Sequence, residues 1–300
     1  MSFDLKHVWP YIAEIIGCTM FVCLSIPLKF IKINPIYKSL ITVVVISISS
    51  FIYILSTQQS EKIQFNFLQN ITDHNHIIQS IFYTLSIIGF TIGFQYLPVS
   101  IAVPLGAVVT PSALIFNKFV NNVEPTLYQI LGGVIAFIGI VITSFQREKM
   151  KLEYLYGIIA TIIGTISISY VITITKNVTS KKINNIIFKN NVEMFDQTYI
   201  GIIILGVIAI IYGLYTREKI SLVEVGKLIV SLFFIRYIGF QFYWFAYNKL
   251  PENNYMELMN SEMIISFIIG YFVFGENINM KKIIGIIIIA LGIFLGIKPS

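Results

Sequence analysis

The chain has 300 residues, 56% of them hydrophobic and 12% charged, and a formal net charge of +6. Soluble domains carry roughly twice that share of charge, and a soluble surface this apolar aggregates. With a mean hydropathy of +0.80, the composition excludes an ordinary soluble protein, and the scatter of basic residues between apolar runs excludes a nucleic-acid reader, which gathers them on one face.

A membrane helix needs roughly 20 mostly apolar residues. In chain order, the sequence predicts spans over 9–30, 36–55, 77–97, 99–117 and 125–145. A second set follows over 154–175, 197–216, 228–248, 253–275 and 283–297. The first run has one early lysine but contains Glu14 and no small-x-small cleavage pattern, so it reads as a retained span rather than a signal peptide. Cys18 and Cys23 lie within it and read as ordinary buried thiols. The 41 residues from Ile77 to Asn117 carry no charge and are too long for one crossing. Leu97-Pro98 divides them, because proline disfavours helix at the residue before it. The longest polar connections are 57–76 and 176–193, and Arg147 to Lys151 form a short basic link between two sets of five spans.

The two sets repeat. A shift of 153 residues lays Leu97-Pro98 on Leu250-Pro251, Gly132 on Gly285 and Gly139 on Gly292, with Glu124 one residue off Glu276. A shift of 147 lays Ile16-Gly17 on Ile163-Gly164 and Lys29 on Lys176. Two units are expected, 9–146 and 153–298. An odd number of spans per unit makes the second enter the membrane from the opposite side. The expected fold is therefore all-α: a polytopic membrane protein of about ten transmembrane helices in two inverted five-helix repeats, an arrangement that places a solute site near the midplane. The loop bias in Lys and Arg, nine on the N-terminal side against eleven that include Lys38 and Lys282, does not choose an orientation.

The segment from Gln95 to Ile142 resembles the end of an EamA domain, the repeat unit of the drug/metabolite transporter superfamily. The resemblance rests on the Leu-Pro step, the prolines of the fourth span, the loop with Glu124 and the glycine-patterned fifth span. The segment from Asn248 to Gly296 repeats the pattern, with Gly275-Glu276 after the ninth span. It departs in having Ile264 where the first half has Pro111, and the first half lacks a glycine before Glu124. The resemblance implies ten helices, both termini cytoplasmic and alternating access, and it implies no particular substrate.

Arg236, in the middle of the eighth span, is the sharpest single feature. A charge at the centre of a membrane helix costs about 2.5–3.5 kcal/mol on insertion scales. It is either a substrate anchor, since guanidinium grips carboxylate or phosphate bidentately, or half of an internal ion pair. The acids within reach of such a pair are Glu14, Glu257 and Glu262. Asn253, Glu257 and Asn260 share one helical face, so Glu257 and Asn260 are expected to line the cavity. Glu262 lies on another face and is a candidate Arg236 partner or proton site. Tyr237 and Trp244 offer an aromatic wall. Gln95 and Thr110 add polar groups beside the Pro104 and Pro111 interruptions, the best sequence pointers to a transporter site. Glu124 and Glu276 read as structural loop residues, and the repeated glycines as close-packing surfaces.

The expected function is a secondary transporter of a small polar or amphiphilic solute such as an amino acid, another metabolite or a drug-like compound. With no P-loop in the sequence, a solute or ion gradient drives it, with protons as one coupled partner. The expected location is a cell or inner membrane, with the lipid bilayer as the other partner and no cofactor. An intramembrane enzyme is the alternative, but His7, His74 and His76 all lie outside the predicted spans, and His74-x-His76 falls short of a metal site. A non-transporting receptor or assembly factor is a third reading.

Overall fold

A computed structural model describes residues 5–56, 74–122, 124–144, 151–178, 186–217, 220–249 and 261–297. These residues are helical and contain no strand. In chain order the helices are α1 (Leu5–Cys23), α2 (Ser25–Phe30), α3 (Pro35–Ser56), α4 (His74–Tyr96), α5 (Val99–Leu105) and α6 (Val109–Asn121). They continue with α7 (Leu127–Ser144), α8 (Leu152–Val178), α9 (Ile186–Thr216), α10 (Leu222–Lys249), α11 (Ser261–Phe274) and α12 (Met280–Ile297). Six apolar stretches among the described residues are long enough to cross a membrane: Val8–Phe30, Pro35–Ser56, His74–Tyr96, Val99–Val120, Leu152–Ile174 and Gln197–Thr216.

Several predicted boundaries move. The connection expected over 57–76 gives way to helix at His74, and that over 176–193 is helical up to Val178 and again from Ile186. Lys38 and Lys282, assigned above to loops, sit inside α3 and α12 and are 1% and 3% exposed. Each is early in its helix, where a long side chain can turn back to carbonyls at the helix entrance rather than out to solvent.

The break at Leu97-Pro98 is as expected, with Pro98 at φ −53°, ψ 141° between α4 and α5. The fourth span is itself interrupted: α5 passes into a 3₁₀ turn at Gly106–Val108 before α6. Pro104 within α5 lacks the N–H that a continuous ladder needs, and Gly106 relaxes the turn that follows.

Packing follows a regular scheme. α7 lies against α12, α4 against α8, α3 against α9 and α1 against α10. Lesser contacts join α6 to α8, α1 to α11, α4 to α9 and α3 to α10. Glycine decides how closely two of these pairs approach. A Cβ on Gly139 would lie 2.6 Å from the Gly285 carbonyl oxygen, and one on Gly89 2.6 Å from the Gly164 Cα. Gly132 meets Gly292 in the same way at the other end of the α7–α12 contact, so those two helices run antiparallel. Such backbone contact is a main source of cohesion between helices in lipid, where burial of apolar surface supplies no drive.

The interior is more polar than the rim. Thr84, Ser86, Thr161, Ser169 and Thr173 are buried and donate back to carbonyls three or four residues earlier in their own helices. Leu131, Val134, Ile138, Ile284, Ile287 and Leu291 face outward. That distribution suits a hydrocarbon surround and not water.

Candidate functional site

Arg236 stands at the middle of α10, fourteen residues from Leu222 and thirteen from Lys249. Its guanidinium carbon sits 3.5 Å from the Phe240 ring centroid, stacked over the ring one turn away. Its Nη2 donates to the hydroxyl oxygen of Tyr83 on α4 at 3.3 Å. Tyr237 stacks on Phe233 at 5.6 Å with planes 8° apart, which adds a second aromatic pair to the same stretch of helix. Among the described residues Arg236 has no carboxylate partner. Tyr83 and Arg236 are 153 residues apart, the spacing that superposes the two halves in sequence.

The acids gather elsewhere. Glu14 is fully buried in α1 and accepts from the Cys18 thiol at 3.5 Å, while its Oε2 has no hydrogen-bond partner. Glu262, at the start of α11, interacts electrostatically with both Glu14 and Cys18. The pairing of Glu262 with Arg236, one of the roles expected for it, is not what the fold provides. Gly17 packs on Tyr243 and Met20 on Gly239, which brings Ala13 and Ala246 into one cluster. Glu14 is thus level with Ala246, ten residues beyond Arg236, or about 15 Å along the helix at 1.5 Å per residue. At that separation two charges in an effective dielectric near 20 attract by only about 1 kcal/mol. Glu14 does not neutralise the guanidinium.

The remaining expected residues divide. Gln95 accepts a hydrogen bond from Lys38 Nζ at 3.0 Å, which also donates to the Leu28 carbonyl at 2.6 Å. Its oxygen is therefore committed to a buried lysine. Thr110 lies in the first turn of α6 and Trp244 in α10. Glu257 and Asn260 lie outside the described residues. No group of three or more metal-ligating side chains occurs among the described residues.

A second charged cluster was not legible as such. Gly275 takes φ +63° and ends α11 in an αL cap, its N–H donating to the Tyr271 carbonyl at 3.2 Å, and the Glu276 N–H reaches back to the Gly270 carbonyl at 2.8 Å. That turn aims the Glu276 carboxylate at the start of α5. It accepts from Val99 N–H at 2.5 Å, Ser100 N–H at 3.0 Å and Ser100 Oγ at 2.5 Å. Lys29 Nζ stands 3.4 Å from it and donates to the Leu97 carbonyl at 3.0 Å. Lys282 Nζ donates to Ser100 Oγ at 3.0 Å. Gly270 leaves the room the carboxylate needs, since a Cβ there would lie 2.8 Å from Glu276 Oε2. The result is a clasp joining three helix junctions, formed by residues 29, 97–100 and 276–282. Glu124, near the repeat counterpart of Glu276, does none of this. Its side chain is 76% exposed and pairs only with Lys118, against 8% for Glu276.

A helical chain with an apolar rim, a hydroxyl-rich interior and an arginine at the middle of a 28-residue helix is a polytopic membrane protein. Residues 155–297 match the EamA-like transporter family, a match consistent with the drug/metabolite transporter superfamily. With six apolar helices long enough to cross a bilayer, the chain is a multi-pass integral membrane protein. A solved crystal structure shares its fold at a TM-score of 0.61 and 10% identity, over 95% of this chain and 94% of that one. No curated protein matches the sequence.

Proposed function

We propose that the chain is a ten-crossing secondary transporter of a small polar or amphiphilic solute, built as two inverted repeats over 9–146 and 153–298. The contact between Arg236 and Tyr83 carries this reading, because the two lie 153 residues apart, the shift that aligns the halves in sequence, and Arg236 stands at the middle of its helix. Inverted-repeat transporters hold their solute near the midplane, between the halves. The packing scheme supports the duplication: exchanging the halves turns the α4–α8 contact into α10–α1, and the α6–α8 contact into α11–α1. The α7–α12 contact maps onto itself, with Gly132 against Gly292 and Gly139 against Gly285.

Alternating access is the transport mode of this reading. The Glu276 clasp closes the face where α2, α5 and α12 begin or end, while Glu124, near its counterpart, is exposed at the opposite face. The driving force is a gradient, with the Glu14–Glu262 pair as proton carrier. Uptake and exchange by purified protein in proteoliposomes, screened across amino acids, other metabolites and drug-like compounds, tests the reading. Failure of the folded protein to move any of them would refute it. Replacing both Glu14 and Glu262 by Gln abolishes pH-driven uptake and spares exchange if protons are coupled there.

A further inference from the structure

We propose that the solute is an organic anion with an aromatic or extended apolar body, and that Arg236 binds its carboxylate or phosphate. The inference rests on the transporter reading above and names the substrate class of its central site. A guanidinium has five in-plane N–H donors. Tyr83 takes one, and Phe240 occupies a face of the group rather than its edge. Four donors are left in a plane that suits a bidentate oxyanion. Buried cations elsewhere in this protein are satisfied: Lys282 by Ser100 Oγ and the Asn277 carbonyl, Lys38 by Gln95 and the Leu28 carbonyl. Arg236 is the mid-membrane cation whose counter-charge the described residues do not supply.

Two features narrow the class. The Glu14–Glu262 pair is too far along the helix for an α-amino acid to touch it and Arg236 together, since the ammonium and carboxylate of an α-amino acid are only one carbon apart. The site therefore does not select a zwitterion of that size. The guanidinium lies over the Phe240 ring, Phe233 and Tyr237 stack on each other in the same stretch of helix, and no acidic group among the described residues pairs with Arg236. Ser80, one turn before Tyr83 on the same face of α4, is fully buried with a hydroxyl that has no partner. It is available to a polar atom of the ligand.

The test uses full-length protein in detergent and in proteoliposomes, with four probes of one shape class: 3-phenylpropionate, phenyl phosphate, 3-phenylpropionamide and 3-phenylpropylamine. Binding is read by equilibrium dialysis, and transport by exchange of labelled compound. The expected result is binding of at least one anion, at least tenfold weaker binding of the amide and amine, and at least tenfold weaker anion binding in Arg236→Gln. Arg236→Lys keeps the charge but loses the fork, and falls between the two. The two anions tell a carboxylate site from a phosphate site. Equal binding of amide or amine, anion binding unchanged in Arg236→Gln, or no binding of either anion overturns the proposal. If the same liposomes exchange other solutes, only the substrate class has failed; if they exchange nothing, the transporter reading has failed with it. The melting temperature of each variant guards against misfolding, and Tyr83→Phe provides a second, milder probe of the same guanidinium.

Discussion

Replacing Glu276 by Ala removes the acceptor for Val99 N–H, Ser100 N–H and Ser100 Oγ, and the partner of Lys29. Losing a helix cap costs about 0.5–2 kcal/mol, and a hydrogen bond to a charged group is worth about 1.5–3 kcal/mol net. The Lys29 pair is longer, at 3.4 Å, and the lysine side chain is 25% exposed, so it contributes no more than about 1 kcal/mol. Water reaches the junction once it opens and restores part of this, which leaves a loss of about 2–3 kcal/mol. At 1.4 kcal/mol per factor of ten, the closed-to-open ratio falls by roughly 30- to 150-fold. The reporter is Ala102→Cys, which is buried in α5 behind the clasp. It is made in a background with Cys18→Ser and Cys23→Ala, which removes the two native thiols. A membrane-impermeant maleimide is expected to label it slowly with Glu276 present and at least tenfold faster in Glu276→Ala. Glu276→Gln keeps one carbonyl oxygen and gives an intermediate rate. Unchanged labelling in Glu276→Ala, with the protein still folded, would refute the idea that the clasp seals this face.

Arg236→Leu removes a charge whose insertion costs about 2.5–3.5 kcal/mol and leaves no orphaned carboxylate, only the Tyr83 hydroxyl. The melting temperature in detergent is expected to hold or rise while transport is lost; a fall of many degrees would mark Arg236 as a packing residue instead. Gly139→Leu drives a side chain into the Gly285 carbonyl and is expected to destabilise the protein by more than about 2 kcal/mol. Gly226→Ala, with open space around its missing Cβ, instead gains about 0.5–1 kcal/mol, and thermal melts of the two side by side check the contrast. Gln95→Leu leaves the buried Lys38 ammonium with the Leu28 carbonyl alone and costs about 1–3 kcal/mol by the same measurement, whereas a neutral outcome would argue against the buried pairing.

Much of the fold was legible because lipid imposes a strong rule. Every crossing must be a helix long enough to span and apolar enough to stay, so the six spans found among the described residues and the Leu97-Pro98 break are written in the residue order. Arg236 was legible for the same reason, as a charge where charges are costly. Its partner was expected among the acids, whereas the contact is with Tyr83, the position that the 153-residue shift aligning the glycines also pairs with 236. Lys38 and Lys282 were misplaced because linear order counts a lysine near a span end as a loop residue. Whether its ammonium turns outward to water or inward to a carbonyl depends on neighbours far along the chain.

The clasp and the acids make the division plain. The sequence by itself determined a helical membrane protein, its repeated pattern, its one central cation and the Gly275-Glu276 turn, since those follow from hydropathy, periodicity and backbone freedom. Only the tertiary structure decided which charges meet. Glu276 lies 176 residues beyond Ser100, so no local rule joins them; the Gly275 turn and the start of α5 have to be packed together before the carboxylate finds its donors. The same holds for Glu14 and Glu262, brought together by the packing of α1 on α11, and for Arg236, left with an aromatic ring, a phenol and no acid among the described residues.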